Sequence, residues 1–155
     1  MEILNNKWVI EILSNTKSKV TFDTQTAETK IDWLSVTHPW EFEKWWILLE
    51  VKEYNKILFY SFTIDTKHLV IISNDSFELK EEILSFFGDV DVLVIVWSKE
   101  SAKIFENIEA RVVVPFWEWK QTFLTTLWQH TEELKSYKIK WEMSDDTSEF
   151  INLEE

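Results

Sequence analysis

Apolar and polar residues alternate through most of the first half of the chain, the period of a strand half buried against a core. Residues 8–13 and 19–22 are predicted as strands separated by the polar turn at 14–18. After the Thr-rich stretch 23–30 come further strand patterns at 31–37, 47–52, 57–64 and 68–73. The connectors Glu53-Tyr54-Asn55-Lys56 and Asp65-Thr66-Lys67 are short and polar, so the last three strands are expected to form an antiparallel meander.

The period changes near residue 75. Asp75 or Ser76 is placed to cap a helix whose apolar positions Leu79, Ile83, Leu84 and Phe87 recur at helical spacing. Gly88 then stands where a left-handed residue closes a helix. Residues 91–96 and 111–116 are continuous apolar runs of strand length, the pattern of strands covered on both faces. Between them 98–108 reads as a helix, with Ala102, Phe105 and Ile108 on one side. A helix is expected over 120–134, and closing strands at 137–142 and 149–153. Strand, helix, strand, helix, strand from 68 to 116 predicts an α/β layer with parallel pairing, within a single domain spanning 1–155.

Composition narrows the function classes. The chain has 28 acidic and 16 basic residues, a net charge of −12, which disfavours binding to phosphate backbones, so no nucleic-acid partner is expected. It has no Cys, which excludes disulfides, thiolate zinc sites and a cysteine nucleophile. The first residues carry no secretory pattern, and the apolar runs fall far short of the ~20 residues that span a bilayer, so a cytoplasmic protein without a membrane partner is expected.

Glycine and tryptophan are both abnormal. There is one Gly and there are ten Trp, whereas average usage of about 7% would give ~11 Gly in a chain of this length. Turns need residues that adopt positive φ, and Gly supplies them at least cost. The Trp stand where Gly is expected: Trp97 between a strand and a helix, Trp117 and Trp119 just after a strand, Trp45 and Trp46 before one, and Trp40 after Pro39. Trp128 lies late in a helical segment and Trp141 near a strand end. Some bacterial lineages read UGA as glycine where a common alternative table reads tryptophan, so translation with the wrong table would produce this pattern. The contrary reading is a chain that is Trp-rich by nature, its indoles filling a core or lining a sugar-binding platform.

The segment from 57 to 115 carries a further pattern. Phe59-Tyr60-Ser61-Phe62-Thr63-Ile64-Asp65 runs into Leu69-Val70-Ile71-Ile72-Ser73-Asn74-Asp75. Gly88-Asp89-Val90-Asp91-Val92-Leu93-Val94-Ile95 follows, and then Ala110-Arg111-Val112-Val113-Val114-Pro115. The order resembles the C-terminal half of the metallo-β-lactamase fold, in its branch of small bacterial metal-dependent hydrolases. His38-Pro39-Trp40-Glu41-Phe42-Glu43-Lys44-Trp45 resembles that branch's P-G-E-Y-E-x-x-G segment if Trp stands for Gly. The resemblance covers roughly 31–116. It implies a shortened αββα sandwich with mixed sheets.

The resemblance also implies a two-zinc centre that activates water, and the chain departs from it. The family's H-x-H-x-D-H loop is represented only by Thr37-His38, and the His that ends the family's A-x-x-V-I-P strand is replaced by Phe116 and Trp117. His38, His68 and His130 are the only histidines. Of the implied ligand positions Asp75 is matched and His38 is a second, doubtful match. The expectation is therefore no catalytic residue, no cofactor site and no metal site, in a degenerate domain whose role lies in protein interaction or homo-oligomerisation. The alternatives are a reduced hydrolase with one zinc held by His38, Asp75 and a Glu such as Glu41, and an acidic Trp-rich inhibitor or carbohydrate-binding protein.

Weaker patterns have plainer explanations. Ser98, Lys99 and Ser101 suggest a Ser/Lys dyad, but a helix N-cap accounts for the same serines. Under the glycine reading 117–120 becomes G-E-G-K, a tight turn without the rest of a phosphate loop. The acidic C-terminal residues Asp145, Asp146, Glu149, Glu154 and Glu155 read as a solvated surface.

Overall fold

The computed structural model describes residues 1–117, 120–126, 131–144 and 146–154. The predicted features at Trp119, Trp128, His130, Asp145 and Glu155 lie outside them. The strands are β1 (Glu2–Asn6), β2 (Val9–Leu13), β3 (Lys19–Asp23), β4 (Thr29–Ile31), β5 (Leu34–Val36), β6 (Glu41–Lys44), β7 (Ile47–Tyr54), β8 (Ile57–Ile64) and β9 (Lys67–Ile72). There follow α1 (Glu81–Phe87), β10 (Val92–Val96), α2 (Lys99–Asn107), β11 (Val112–Phe116), α3 (Lys120–Thr126), β12 (Glu133–Leu134), β13 (Ser136–Lys138), β14 (Glu149–Phe150) and β15 (Asn152–Leu153).

Two sheets face each other. One has the order β13-β1-β2-β3-β4-β5, the other β14-β11-β10-β9-β8-β7-β6. The strands β1 to β3 read EILNN, VIEIL and KVTFD, and their alternation puts Ile3, Ile10, Ile12, Val20 and Phe22 inside. These meet Leu49, Phe62, Ile71, Val94 and Val114 from the second sheet in one core. Phe22 and Phe116 touch edge to face across it, with ring centroids 5.6 Å apart.

The second sheet carries the predicted meander. β7, β8 and β9 pair antiparallel, and β9, β10 and β11 pair parallel. Its strands β10 and β11 are buried along their whole length because both faces are covered. Val70, Leu93, Ile95 and Val113 point away from the first sheet and pack with Ile83, Phe87, Ile104, Ile108 and Leu124 of the helical segments. Pro115 is tolerated inside β11 because β14 pairs only with Val112 and Val113, so no ladder bond is lost at its missing N–H.

Several expectations are corrected. Of the expected αββα layers, the described residues give the two large sheets and one helical layer, on the outer face of the seven-stranded sheet. On the outer face of the other sheet Leu4, Val9 and Leu13 alternate with charged and polar side chains: Glu11 and Lys19 pair there at 3.4 Å, and Ser136 Oγ donates to Glu2 Oε1 at 2.6 Å. The strand expected at 31–37 is two strands, because Asp32 turns the chain at φ 53° and folds β4 against β5. β1 and β6 were not expected; both alternate, but they are short and rich in Asn or Glu.

Asp75 and Ser76 do not cap α1. Residues 74–80 alternate exposed and half-buried, so Phe77 and Leu79 reach the core from an extended segment and the helix starts only at Glu81. The Phe77 ring packs on Phe59 at 4.8 Å. Gly88 does close that helix, at φ 60° with its N–H donating to the Leu84 carbonyl at 2.9 Å. The expected helix over 120–134 is described only to Thr126, and Glu133–Leu134 form a strand instead. The closing strand expected at 149–153 breaks at Ile151, β14 pairing with β11 and β15 with β12. His68 lies in β9, within the strand expected at 68–73.

Candidate functional site

Parallel strands present ligand sites beyond their carboxyl ends, where loops leave the sheet together. Here that end is formed by residues 73–75 after β9, 97–98 after β10 and 117 after β11. It is where the resemblance places its metals.

Asp75 is half-buried, and the loop around it is held by Asn74, whose Oδ1 accepts from the Ser76 N–H at 2.6 Å. After β10 the buried Trp97 donates its backbone N–H to the Phe116 carbonyl at 3.2 Å. Ser98 and Ser101 form a reciprocal cap on α2. Ser98 Oγ accepts from the N–H groups of Glu100 and Ser101, and Ser101 Oγ accepts from the Ser98 N–H at 2.7 Å and donates to the Val96 carbonyl at 2.6 Å. Both hydroxyls are committed to the helix start, as the capping explanation requires, and neither is presented as a nucleophile. Phe116, the last residue of β11, points into the core, and Trp117 beyond it is exposed at φ 88°. The buried Lys120 ties α3 to the chain end, its Nζ donating to the Leu153 carbonyl at 2.6 Å with Glu133 Oε1 at 3.9 Å.

His38 is exposed in the loop after β5. Its ring stacks on Trp40 with centroids 5.4 Å apart, and Nδ1 lies 3.3 Å from Thr37 Oγ1. Glu41, also exposed, begins the edge strand β6. Among the described residues, no three His, Cys, Asp or Glu side chains are grouped to hold a metal ion, so His38, Asp75 and Glu41 do not form a set. The residues at this end do not fit a two-zinc centre, whose chemistry needs convergent imidazoles and carboxylates.

A second polar cluster lies at the opposite, amino end of the same strands. His68 Nε2 is 2.7 Å from Ser61 Oγ and Nδ1 is 2.6 Å from the Asp89 carbonyl oxygen. That oxygen can only accept, so in the neutral ring Nδ1 carries the proton and Nε2 accepts from the serine. The His68 backbone N–H donates to Asp91 Oδ2 at 2.8 Å, and Arg111 Nη1 donates to Asp91 Oδ1 at 3.2 Å. The Ser–His contact has the bonding of an activated hydroxyl, but Ser61 is only 4% exposed. The cluster pins the β8–β9 hairpin to the turn before β10. Alternation along β8 and β9 places Ser61 and His68 on one face; their bonding follows from the turn at 88–91, which sequence pattern alone does not locate.

Two clefts, of about 360 and 440 Å³, open beside Arg111 at this end. Their walls include Glu106, Glu109 and Asp146 along with Ser144, Thr147 and Ser148. Elsewhere the shifted carboxylates lie in turns of the first sheet. Asp32 is held below the ordinary carboxylate range by Lys44 Nζ at 2.9 Å and the Lys19 N–H, and Asp23 by the N–H groups of Thr26 and Gln25.

The sequence matches no protein-family model and no curated protein. Among solved structures, the chain is similar to a candidate Zn-dependent hydrolase of the metallo-β-lactamase superfamily from Thermotoga maritima, with a TM-score of 0.75 and 12% identity. The likeness covers 99% of this chain and 98% of that one, so it lends no support to the expected shortening. Among the described residues no helix is long and apolar enough to cross a membrane. The fold is that of the metallo-β-lactamases, with one helical layer described.

Proposed function

We propose that this chain is a degenerate metallo-β-lactamase-like domain that has lost the hydrolase chemistry and serves as an interaction module, with a protein partner or a second copy of itself. The observation that carries the reading is the donor set at the carboxyl end of β9, β10 and β11. The similar structure is described as a candidate Zn-dependent hydrolase; in this chain the carboxyl end of the parallel strands offers Asp75, capped serines, Phe116 and Trp117. Without several convergent imidazoles nothing there lowers the pKa of a water, and hydrolysis at neutral pH loses its nucleophile. The net charge of −12 favours a basic protein surface over nucleic acid as the partner.

The test is elemental analysis of the full chain purified without chelators and dialysed against metal-free buffer. Substoichiometric zinc, manganese and iron are expected. One equivalent of any of them, lost in Asp75→Ala and His38→Ala, would establish the reduced single-metal hydrolase instead.

A further inference from the structure

We infer that the native residue at the tryptophan positions of this chain is glycine, and that the exposed indole surface is absent from the native protein. Three independent features of the fold support this, and none depends on the proposed function.

The first is placement. The described tryptophans are Trp8, Trp33, Trp40, Trp45, Trp46, Trp97, Trp117 and Trp141, and every one lies outside the helices and strands. The second is exposure. All but Trp97 are exposed, with Trp33 at 81%, Trp46 at 77% and Trp141 at 76%. Phenylalanine in the same chain behaves in the opposite way: Phe22, Phe59, Phe62 and Phe87 are among its most deeply buried side chains. Two large aromatic residues under the same hydrophobic drive should partition alike. One fills the cores and the other decorates turns.

The third is backbone conformation. Trp45, Trp46 and Trp117 have φ of 47°, 68° and 88°, in the left-handed region that a side chain disfavours and glycine adopts freely. Trp45-Trp46 is the two-residue turn between β6 and β7, and it repeats the conformation of Asn55-Lys56 and Asp65-Thr66 in the next two hairpins. Gly-Gly is a preferred sequence for such turns. One decoding difference, UGA read as glycine, accounts for both the missing glycines and the surplus tryptophans.

The inference removes the aromatic platform on which a glycan-binding reading rests, and with it the stacking of His38 on Trp40. It also leaves the loops after β10 and β11 with the flexible residues usual at strand–helix junctions.

Peptide mass spectrometry of the protein from its native cell tests it directly. Peptides spanning 45–46 and 117 are expected at glycine masses, with UGA at those codons; tryptophan masses, or UGG codons, would overturn it. A recombinant comparison gives a second readout. The full chain carrying Trp45→Gly, Trp46→Gly and Trp117→Gly is expected to unfold at higher denaturant than the unsubstituted chain, by roughly tenfold in the folded-to-unfolded ratio per site. An unchanged or lower midpoint would show that the indoles belong there.

Discussion

The two ends of the parallel strands differ in a way that separates fold from chemistry. At the carboxyl end, where this architecture places its ligands, polar groups serve local structure: Ser98 and Ser101 start α2, and Asn74 shapes the loop next to Asp75. At the amino end Ser61, His68, Asp91 and Arg111 form a connected network beside two clefts. A Ser–His contact and an Arg–Asp pair would suggest catalysis if seen as a residue list. The burial of Ser61, and the bonds to backbone groups at 68 and 89, make this cluster a fastener. Density of polar residues is therefore a poor guide to the site; access and convergence decide.

Substitutions at the two ends should expose the contrast. Asp91→Ala carries the largest expected effect, a loss of about 2 kcal/mol, because it strands the His68 N–H and removes the carboxylate that Arg111 Nη1 reaches at 3.2 Å. Urea unfolding measures it, and a loss under 0.5 kcal/mol would remove the network from the account. Ser61→Ala and His68→Ala should show a coupling of about 1 kcal/mol in a double-mutant cycle. Ser98→Ala should cost about 1 kcal/mol through the α2 cap, with no loss of any binding function.

The pH dependence is smaller. Lys44 holds the Asp32 carboxyl below its ordinary value, so its contribution is present above the unfolded value of about 3.9 and lost as pH falls through the folded one. Asp32→Asn should flatten the acid limb of the stability curve below about pH 4, by less than ~1 kcal/mol because the pair is partly exposed. Asp75→Ala and His38→Ala should fall within about 0.5 kcal/mol of the parent, the smallest effects here. A loss several times larger at Asp75 would mean that this end still holds something.

Much of the second sheet was legible because its runs at 91–96 and 111–116 are apolar throughout and bounded by helix signals. The antiparallel order of β7, β8 and β9 followed from connectors too short for a crossover. The first sheet was harder to read. Asp32-Trp33 hides a hairpin, since Trp is not a turn residue and the pattern runs on through it. The start of α1 was misplaced because Leu79 fits both a helical spacing from Ile83 and an alternation with Phe77. That Asp75 and His38 alone match the ligand positions implied by the resemblance is read from the residues themselves. The network at the amino end is not, because residues 61, 68, 91 and 111 meet only through the sheet register and the turn at 88–91.

Thermal unfolding of the full chain across a zinc titration tests the proposed loss of a metal centre most directly. A protein whose native state binds an ion gains stability in proportion to the logarithm of its concentration. The account predicts a transition temperature that does not rise with micromolar zinc, in the parent or in Asp75→Ala. A rise in the parent that Asp75→Ala abolishes would contradict it.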